Sequence, residues 1–170
     1  MKQRKWKMTH VCGILLAVLI IAGCAGPNLY SINMSYDVYN ADISEAIKNN
    51  VKNADAAVSV AEFTDSRTID DSLVIGRVIE RDGTNVLVLP KNIRATKAVS
   101  NGIRQYLKEA GYRVSEKTEE WNLKEDAVPP GDSRILVGGR IEELEINCRK
   151  GFLTNSYTSG IKLNIVLADR

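Results

Sequence analysis

Asn92-Ile93-Arg94-Ala95-Thr96-Lys97-Ala98-Val99-Ser100-Asn101-Gly102-Ile103-Arg104-Gln105-Tyr106-Leu107-Lys108-Glu109-Ala110-Gly111 decides the fold class. Ala95, Val99, Gly102, Ile103, Tyr106, Leu107 and Ala110 recur at 3.6-residue spacing and form one apolar stripe. Arg94, Lys97, Asn101, Arg104, Gln105, Lys108 and Glu109 fall mostly on the side predicted to face water. Asn92 has the short polar side chain that suits an N-cap. Gly111 stands at the C′ position, where a left-handed residue is favoured. The spacing therefore predicts one principal amphipathic helix over about 92–110, followed by a strand that restarts at Tyr112-Arg113-Val114.

Period-two alternation dominates on both sides of this helix. Upstream, a first strand is expected near 30–36. Ile43, Ile47 and Val51 recur every four residues and allow a short helix within 37–54, although Asn49, Asn50 and Asn53 oppose it. Ala56 to Phe63 alternates as a strand, and Thr64-Asp65-Ser66-Arg67 ends it as a turn. Leu73 to Glu80 and Asn85 to Leu89 flank Arg81-Asp82-Gly83-Thr84, whose Asp-Gly pair signals a hairpin, and Pro90 stops it. Downstream, residues 116–132 read as a charged, proline-bearing loop containing Trp121. Ile135, Val137, Gly139 and Ile141 share one strand face, but Leu144, Ile146 and Cys148 have the opposite parity. The phase flips near Glu142-Glu143, which predicts a bulge or bend. Arg149 to Gly151 reads as the turn into a last strand, along which Tyr157, Ser159, Ile161, Leu163, Ile165 and Leu167 alternate. The order predicts an α+β domain: a mostly antiparallel sheet with the principal helix packed on one face. Arg170 follows that strand directly, so the fold is expected to continue beyond it, unless 156–168 is an edge strand at the terminus.

The N-terminus carries an address. Lys2, Arg4, Lys5 and Lys7 precede an apolar run from Val11 to Ala22, with no acid before residue 37. About a dozen residues are too few for a membrane-spanning helix, which needs ~20, but they suit a secretory signal. Leu19-Ile20-Ile21-Ala22-Gly23-Cys24 ends the run in small residues and a cysteine, and resembles the lipobox of bacterial lipoproteins. That resemblance implies cleavage before Cys24 and a diacylglycerol and further acyl chain such as palmitate on its sulfur and amino group. Two or three chains make a durable anchor where one is marginal. Residue 25 is Ala rather than Asp, the pattern that in Gram-negative lipoproteins goes with the outer membrane. The expected organisation is a removed signal at 1–23, a lipidated tether at 24–28 and a single periplasmic domain at 29–170.

Removing residues 1–23 changes the chemistry that remains. The chain carries 23 Lys and Arg against 21 Asp and Glu, a net +2. Four of the basic residues lie in the leader, so the mature net charge is −2 and no nucleic-acid partner is expected. Its size suffices to bury a core without disulfides. Cys12 leaves with the leader, Cys24 takes the lipid, and Cys148 reads as a small buried hydrophobe or an intermolecular thiol. His10, the only histidine, also lies in the leader. The mature domain therefore lacks the imidazole of Ser-His-Asp chemistry and of histidine-built zinc sites. No metal, cofactor or enzymatic activity is expected. Gly138-Gly139 sits within an apolar alternating run and reads as a strand feature rather than a phosphate loop.

The order of short motifs resembles the YajG-type family of uncharacterised bacterial lipoproteins. The residues that carry this are the lipobox at Cys24, Ile32-Asn33-Met34-Ser35-Tyr36, Val58-Ser59-Val60 leading to Asp65-Ser66-Arg67, and Ile75-Gly76. Leu107-Lys108-Glu109-Ala110-Gly111-Tyr112, Arg149-Lys150-Gly151-Phe152 and Ser159 to Asp169 complete it. The resemblance implies an envelope lipoprotein of unknown molecular role and supplies no catalytic residues.

Candidate sites therefore rest on side-chain chemistry alone. Asp65, Arg67, Asp70 and Asp71 form the densest charged cluster. They read either as a ligand or divalent-cation site or as an Asx turn with local ion pairs on the surface. Glu142, Glu143 and Glu145 could serve a glycan hydrolase, but strand parity separates Glu142 from the other two, and a solvated face fits better. Trp121 reads either as an interaction anchor or as a loop residue folded back on the domain. The expected function is non-catalytic binding or scaffolding in envelope maintenance or assembly, with the membrane held through Cys24 and an envelope protein as partner. The alternative is an accessory lipoprotein subunit of a lipid or envelope-polymer transport machine.

Overall fold

One strand organises the sheet. The computed structural model describes residues 29–35 and 57–170; the leader, Cys24, the tether and the helix expected within 37–54 lie outside the described residues. In chain order the elements are β1 (Tyr30–Ile32), β2 (Ala57–Val60), β3 (Thr64–Asp65), β4 (Gly76–Ile79), β5 (Asn85–Pro90), α1 (Ala95–Glu109), β6 (Arg113–Val114), a 3₁₀ turn at Glu125–Ala127, β7 (Ile135–Lys150) and β8 (Asn155–Asp169). β7 is 16 residues long. Along one edge it pairs in succession with β2, β3 and β4, and along the other with β8. β6 extends the sheet from β2, and β5 and β1 extend it from β4.

The α+β class holds, but the expected antiparallel character does not. Among the described residues only β4–β5 and β7–β8 are antiparallel, whereas five pairings are parallel: β1–β5, β2–β6, β2–β7, β3–β7 and β4–β7. The two antiparallel pairs are the two joined by tight turns, where the connection fixes direction. The others join strands separated by long connections, which leave direction to packing.

The bulge falls where parity predicts it. The β7–β8 register shifts between Ile141 and Glu143, leaving Glu142 as the extra residue. Before it Val137 and Ile141 face the α1 layer; after it Leu144, Ile146 and Cys148 face the same layer. The turn lies later than Arg149–Gly151. Arg149 and Lys150 pair with Ser156 and Asn155, and Gly151 N–H donates to Thr154 O at 3.0 Å to close the hairpin. Gly83 (φ +86°) makes the β4–β5 turn and Gly111 (φ +99°) ends α1, both in the left-handed region that glycine enters freely.

Two apolar layers cover the two sheet faces. On one, Val58, Val60, Phe63, Ile75, Val78, Val86, Val88, Val137 and Ile141 pack under Ala95, Val99, Ile103 and Leu107 of α1. On the other, Ala61 and Leu136 pack with Trp121, Leu123, Val128, Val166 and Ala168. α1 begins at Ala95, with Arg94 as N-cap and no side-chain cap. Asn92 instead accepts a hydrogen bond from Met34 N–H at 3.0 Å, holding β1 against the start of the helix. Arg104, expected to face water, is 8% exposed. Its guanidinium donates to Asn101 Oδ1 (2.7 Å), Thr118 Oγ1 (3.0 Å) and Val60 O (3.4 Å), tying helix, loop and β2 together.

Candidate functional site

The Asp65–Arg67 pair is a staple. Arg67 lies in the turn after β3, and its side chain is 4% exposed. Nε donates to Asp65 Oδ1 at 2.9 Å and Nη2 to Asp65 Oδ2 at 2.7 Å, the bidentate geometry that suits guanidinium and carboxylate. The remaining donors reach Ser72 O (2.8 Å), Val74 O (2.9 Å) and Leu144 O (3.3 Å). The Arg67 guanidinium holds the Asp65 carboxyl below the usual carboxylate range. These donors thus bind the 68–74 loop to β7 and leave little for an incoming ligand. Asp70 and Asp71 are exposed, and Asp71 Oδ1 accepts from Leu73 N–H at 2.9 Å, an Asx turn. Arg67→Ala is expected to cost about 2–3 kcal/mol, since it strips a half-buried carboxylate and three carbonyls of their donor. Urea unfolding checks this, and an unchanged midpoint would refute the staple.

The other nominated residues lie apart from this pair. Trp121 is 6% exposed on the opposite sheet face, so the folded-back reading describes its placement. Its indole N–H donates to Lys124 O at 3.1 Å. The ring occupies the space a Cβ at Gly138 would need, 2.6 Å from such an atom, which explains that glycine within a strand. Lys162 Nζ lies 3.0 Å from Glu142 and 3.9 Å from Glu143, and Arg77 lies 3.9 Å from Glu145. These acids stand in surface ion pairs rather than facing one another. Among the described residues no three of His, Cys, Asp and Glu converge on a point that could hold a metal.

Two features escape a linear reading. Tyr30, Glu80 and Lys150 meet at one end of the sheet. Lys150 Nζ donates to Tyr30 OH (2.5 Å) and Glu80 Oε1 (2.9 Å), and Tyr30 OH donates to Glu80 Oε1 (2.8 Å). Lys150 also sits 4.8 Å from the Tyr30 ring centroid. These contacts raise the Lys150 pKa and lower that of Glu80, so both stay charged and the group acts as a strut between β1, β4 and β7. The sequence separations of 50 to 120 residues gave no signal.

The second feature is apolar. A groove of about 510 Å3 runs between α1 and the β7–β8 hairpin, floored by Leu144, Ile146, Ile161 and Leu163 and walled by Met34, Val99 and Ile103. Beyond it the helix no longer covers the sheet. Tyr157 (71% exposed), Ile161, Ile165 and Leu167 (68%) stand in a row on β8, and Phe152 and Leu153 project from the turn. Contiguous apolar exposure of this kind marks interaction surfaces. The alternation of β8 was legible; that α1 stops short of its outer row was not. Among the described residues no helix is long and apolar enough to cross a membrane. No family model, curated protein or solved structure matches the chain.

Proposed function

We propose that the protein is a lipid-anchored, non-catalytic binding module of the bacterial cell envelope, of the YajG-type kind. Acylated Cys24 holds it at the periplasmic side of the outer membrane, and the apolar face of β8 meets an envelope partner. The exposed Tyr157–Leu167 row carries this reading. A domain that leaves such a row beside an apolar groove has a surface suited to association. The binding reading also draws support from the charged residues, which are engaged in structural pairs: Asp65 with Arg67, Glu119 with Arg170 and Glu80 with Lys150. The tether of 24–28 is short, so the partner would lie close to the membrane surface.

The anchor and the binding face are tested separately. Intact-mass measurement on membrane-extracted protein is expected to find residues 1–23 removed and acyl mass on Cys24; an unmodified Cys24 refutes the anchor. A photo-crosslinker at Ile165 in the full chain is expected to give a discrete envelope adduct that Leu167→Asp abolishes. Turnover of a cell-wall substrate that depends on one carboxylate would overturn the non-catalytic reading.

A further inference from the structure

β8 presents an open backbone edge in addition to its apolar face. Among the described residues it pairs only with β7. Its 15 residues span about 50 Å at the usual rise per residue. Exposed edges are ordinarily blunted by shortness, proline, charge or a bulge that turns the strand away. β8 has none of these in effect. It contains no proline, and the bulge residue, Glu142, belongs to β7. Its one charge before Asp169 is Lys162, which is drawn back onto β7 by Glu142 and Glu143. At its far end Asp169 pairs with Arg134 at 3.2 Å, and Arg81 Nε donates to Gly151 O at 3.0 Å in the turn that leads into it.

Parity fixes which groups face outward. Arg170 N–H donates to Arg134 O, and Thr154 O accepts from Gly151 N–H. Even-numbered residues of β8 therefore turn their backbone groups toward β7, and odd-numbered residues from Asn155 to Asp169 turn theirs outward. The same odd-numbered residues place their side chains on the α1 face.

From this we infer that β8 pairs antiparallel with β8 of a second copy of this chain, about a two-fold axis at Leu163. The outward-facing run 155–169 is centred on Lys162, which would set two lysines opposite each other; an axis at Leu163 avoids that clash and brings apolar side chains into register. This register sets Ile161 opposite Ile165, Ser159 opposite Leu167 and Tyr157 opposite Asp169. Lys162 faces Asn164, so no like charges meet. Each outward-facing residue from Tyr157 to Asp169 exchanges its N–H and C=O with the partner strand, and the two apolar rows merge into one floor between the two α1 helices. The occupant this edge fits is a long strand whose α1-side face is mostly apolar, and β8 is itself such a strand: Tyr157, Ile161, Leu163, Ile165 and Leu167 share that face. A two-fold contact of this kind closes on itself and does not propagate. The inference rests on the binding reading of β8 and names the partner.

The test uses the full chain in mild detergent. Sedimentation with the detergent density-matched is expected to find a dimer. Ser159→Pro removes an outward N–H that β7 does not use and is expected to weaken dimerisation by about tenfold or more, with the circular dichroism spectrum unchanged. In a Cys148→Ser background, Leu163→Cys is expected to crosslink to itself under mild oxidation, because facing hydrogen-bonded residues bring their Cα atoms to about 5.5 Å. Ser159→Cys, displaced from the axis, is expected not to. A dimer that is indifferent to Ser159→Pro and leaves Leu163→Cys uncrosslinked overturns the inference. So does a wild-type monomer whose Ile165 crosslinks to a different polypeptide, although the binding reading then survives. A monomer with no adduct of either kind overturns both.

Discussion

Glu119→Ala is expected to destabilise the domain by about 3–5 kcal/mol, because it leaves an arginine charge unpaired in a site that water scarcely enters. Arg170 Nη1 lies 2.6 Å from Glu119 Oε2, and the two side chains are 7% and 10% exposed. The same guanidinium donates to Pro129 O at 2.9 Å and Ser133 O at 3.1 Å. Glu119 also bonds through its backbone: its carbonyl accepts from Glu62 N–H at 2.9 Å. The pair therefore joins the end of β8, the proline-bearing loop and the exit from β2. Glu119→Gln keeps the shape and is expected to lose less. Thermal unfolding of the two variants checks the order, and equal losses would show that charge is not the term that matters.

The pair also sets an acid limit. Arg170 lowers the Glu119 pKa, and Arg67 lowers that of Asp65. A carboxylate whose folded pKa lies below its unfolded value binds fewer protons in the folded state. Its contribution is fully present above the ordinary carboxylate range and is lost as pH falls through that range to the lowered folded value. Stability is thus expected to be flat near neutrality and to fall with acidification, and Glu119→Gln should flatten that fall.

Phe63→Ala carries the other large expected effect, again about 3–5 kcal/mol, from lost transfer energy and the cavity left behind. Phe63 is 2% exposed, in the link between β2 and β3, and packs within the helix-facing core. A Cβ added at Gly139 would lie 2.5 Å from the Phe63 ring and 2.3 Å from Asn164 O, so the missing side chain at that glycine leaves room for the ring. Phe63 N–H donates to Ser100 Oγ at 2.8 Å, and Ser100 donates on to Thr96 O at 2.8 Å. The residue thereby fixes the seat of α1 on the sheet. Urea unfolding of Phe63→Leu alongside Phe63→Ala separates ring from volume: the leucine is expected to recover most of the loss. Equal losses would show that the aromatic ring, not filled space, is required.

What was legible in the sequence is what local periodicity encodes. The apolar stripe placed α1, Asp82-Gly83 placed the β4–β5 turn, and the parity flip between Ile141 and Leu144 placed the bulge within a residue. Pairing direction was not legible, because β2, β3 and β4 meet β7 across long connections with no turn to dictate orientation. Arg104 was misplaced because charge argues for solvent, whereas a guanidinium that finds acceptors in Val60, Asn101 and Thr118 can be buried. Asp65, Arg67, Asp70 and Asp71 are a charged cluster in the sequence, but their spacing alone does not tell a ligand site from a staple. The carbonyls of Ser72, Val74 and Leu144 decide that. The apolar row of β8 is legible as a strand face, but its exposure depends on how α1 covers a sheet whose strand order local periodicity does not encode.

The position of β7 in the chain has a kinetic consequence. It is the rail on which β2, β3, β4 and β8 assemble, yet it is encoded at 135–150. Before β7 is present the earlier strands can pair only as β4–β5, β1–β5 and β2–β6, which leaves β2, β3 and β4 unconnected to one another. Contacts that span such sequence separations close late. The centre of the sheet therefore cannot close until residues 135–150 are available, and β2, β3 and β4 wait for β7 to bring them side by side.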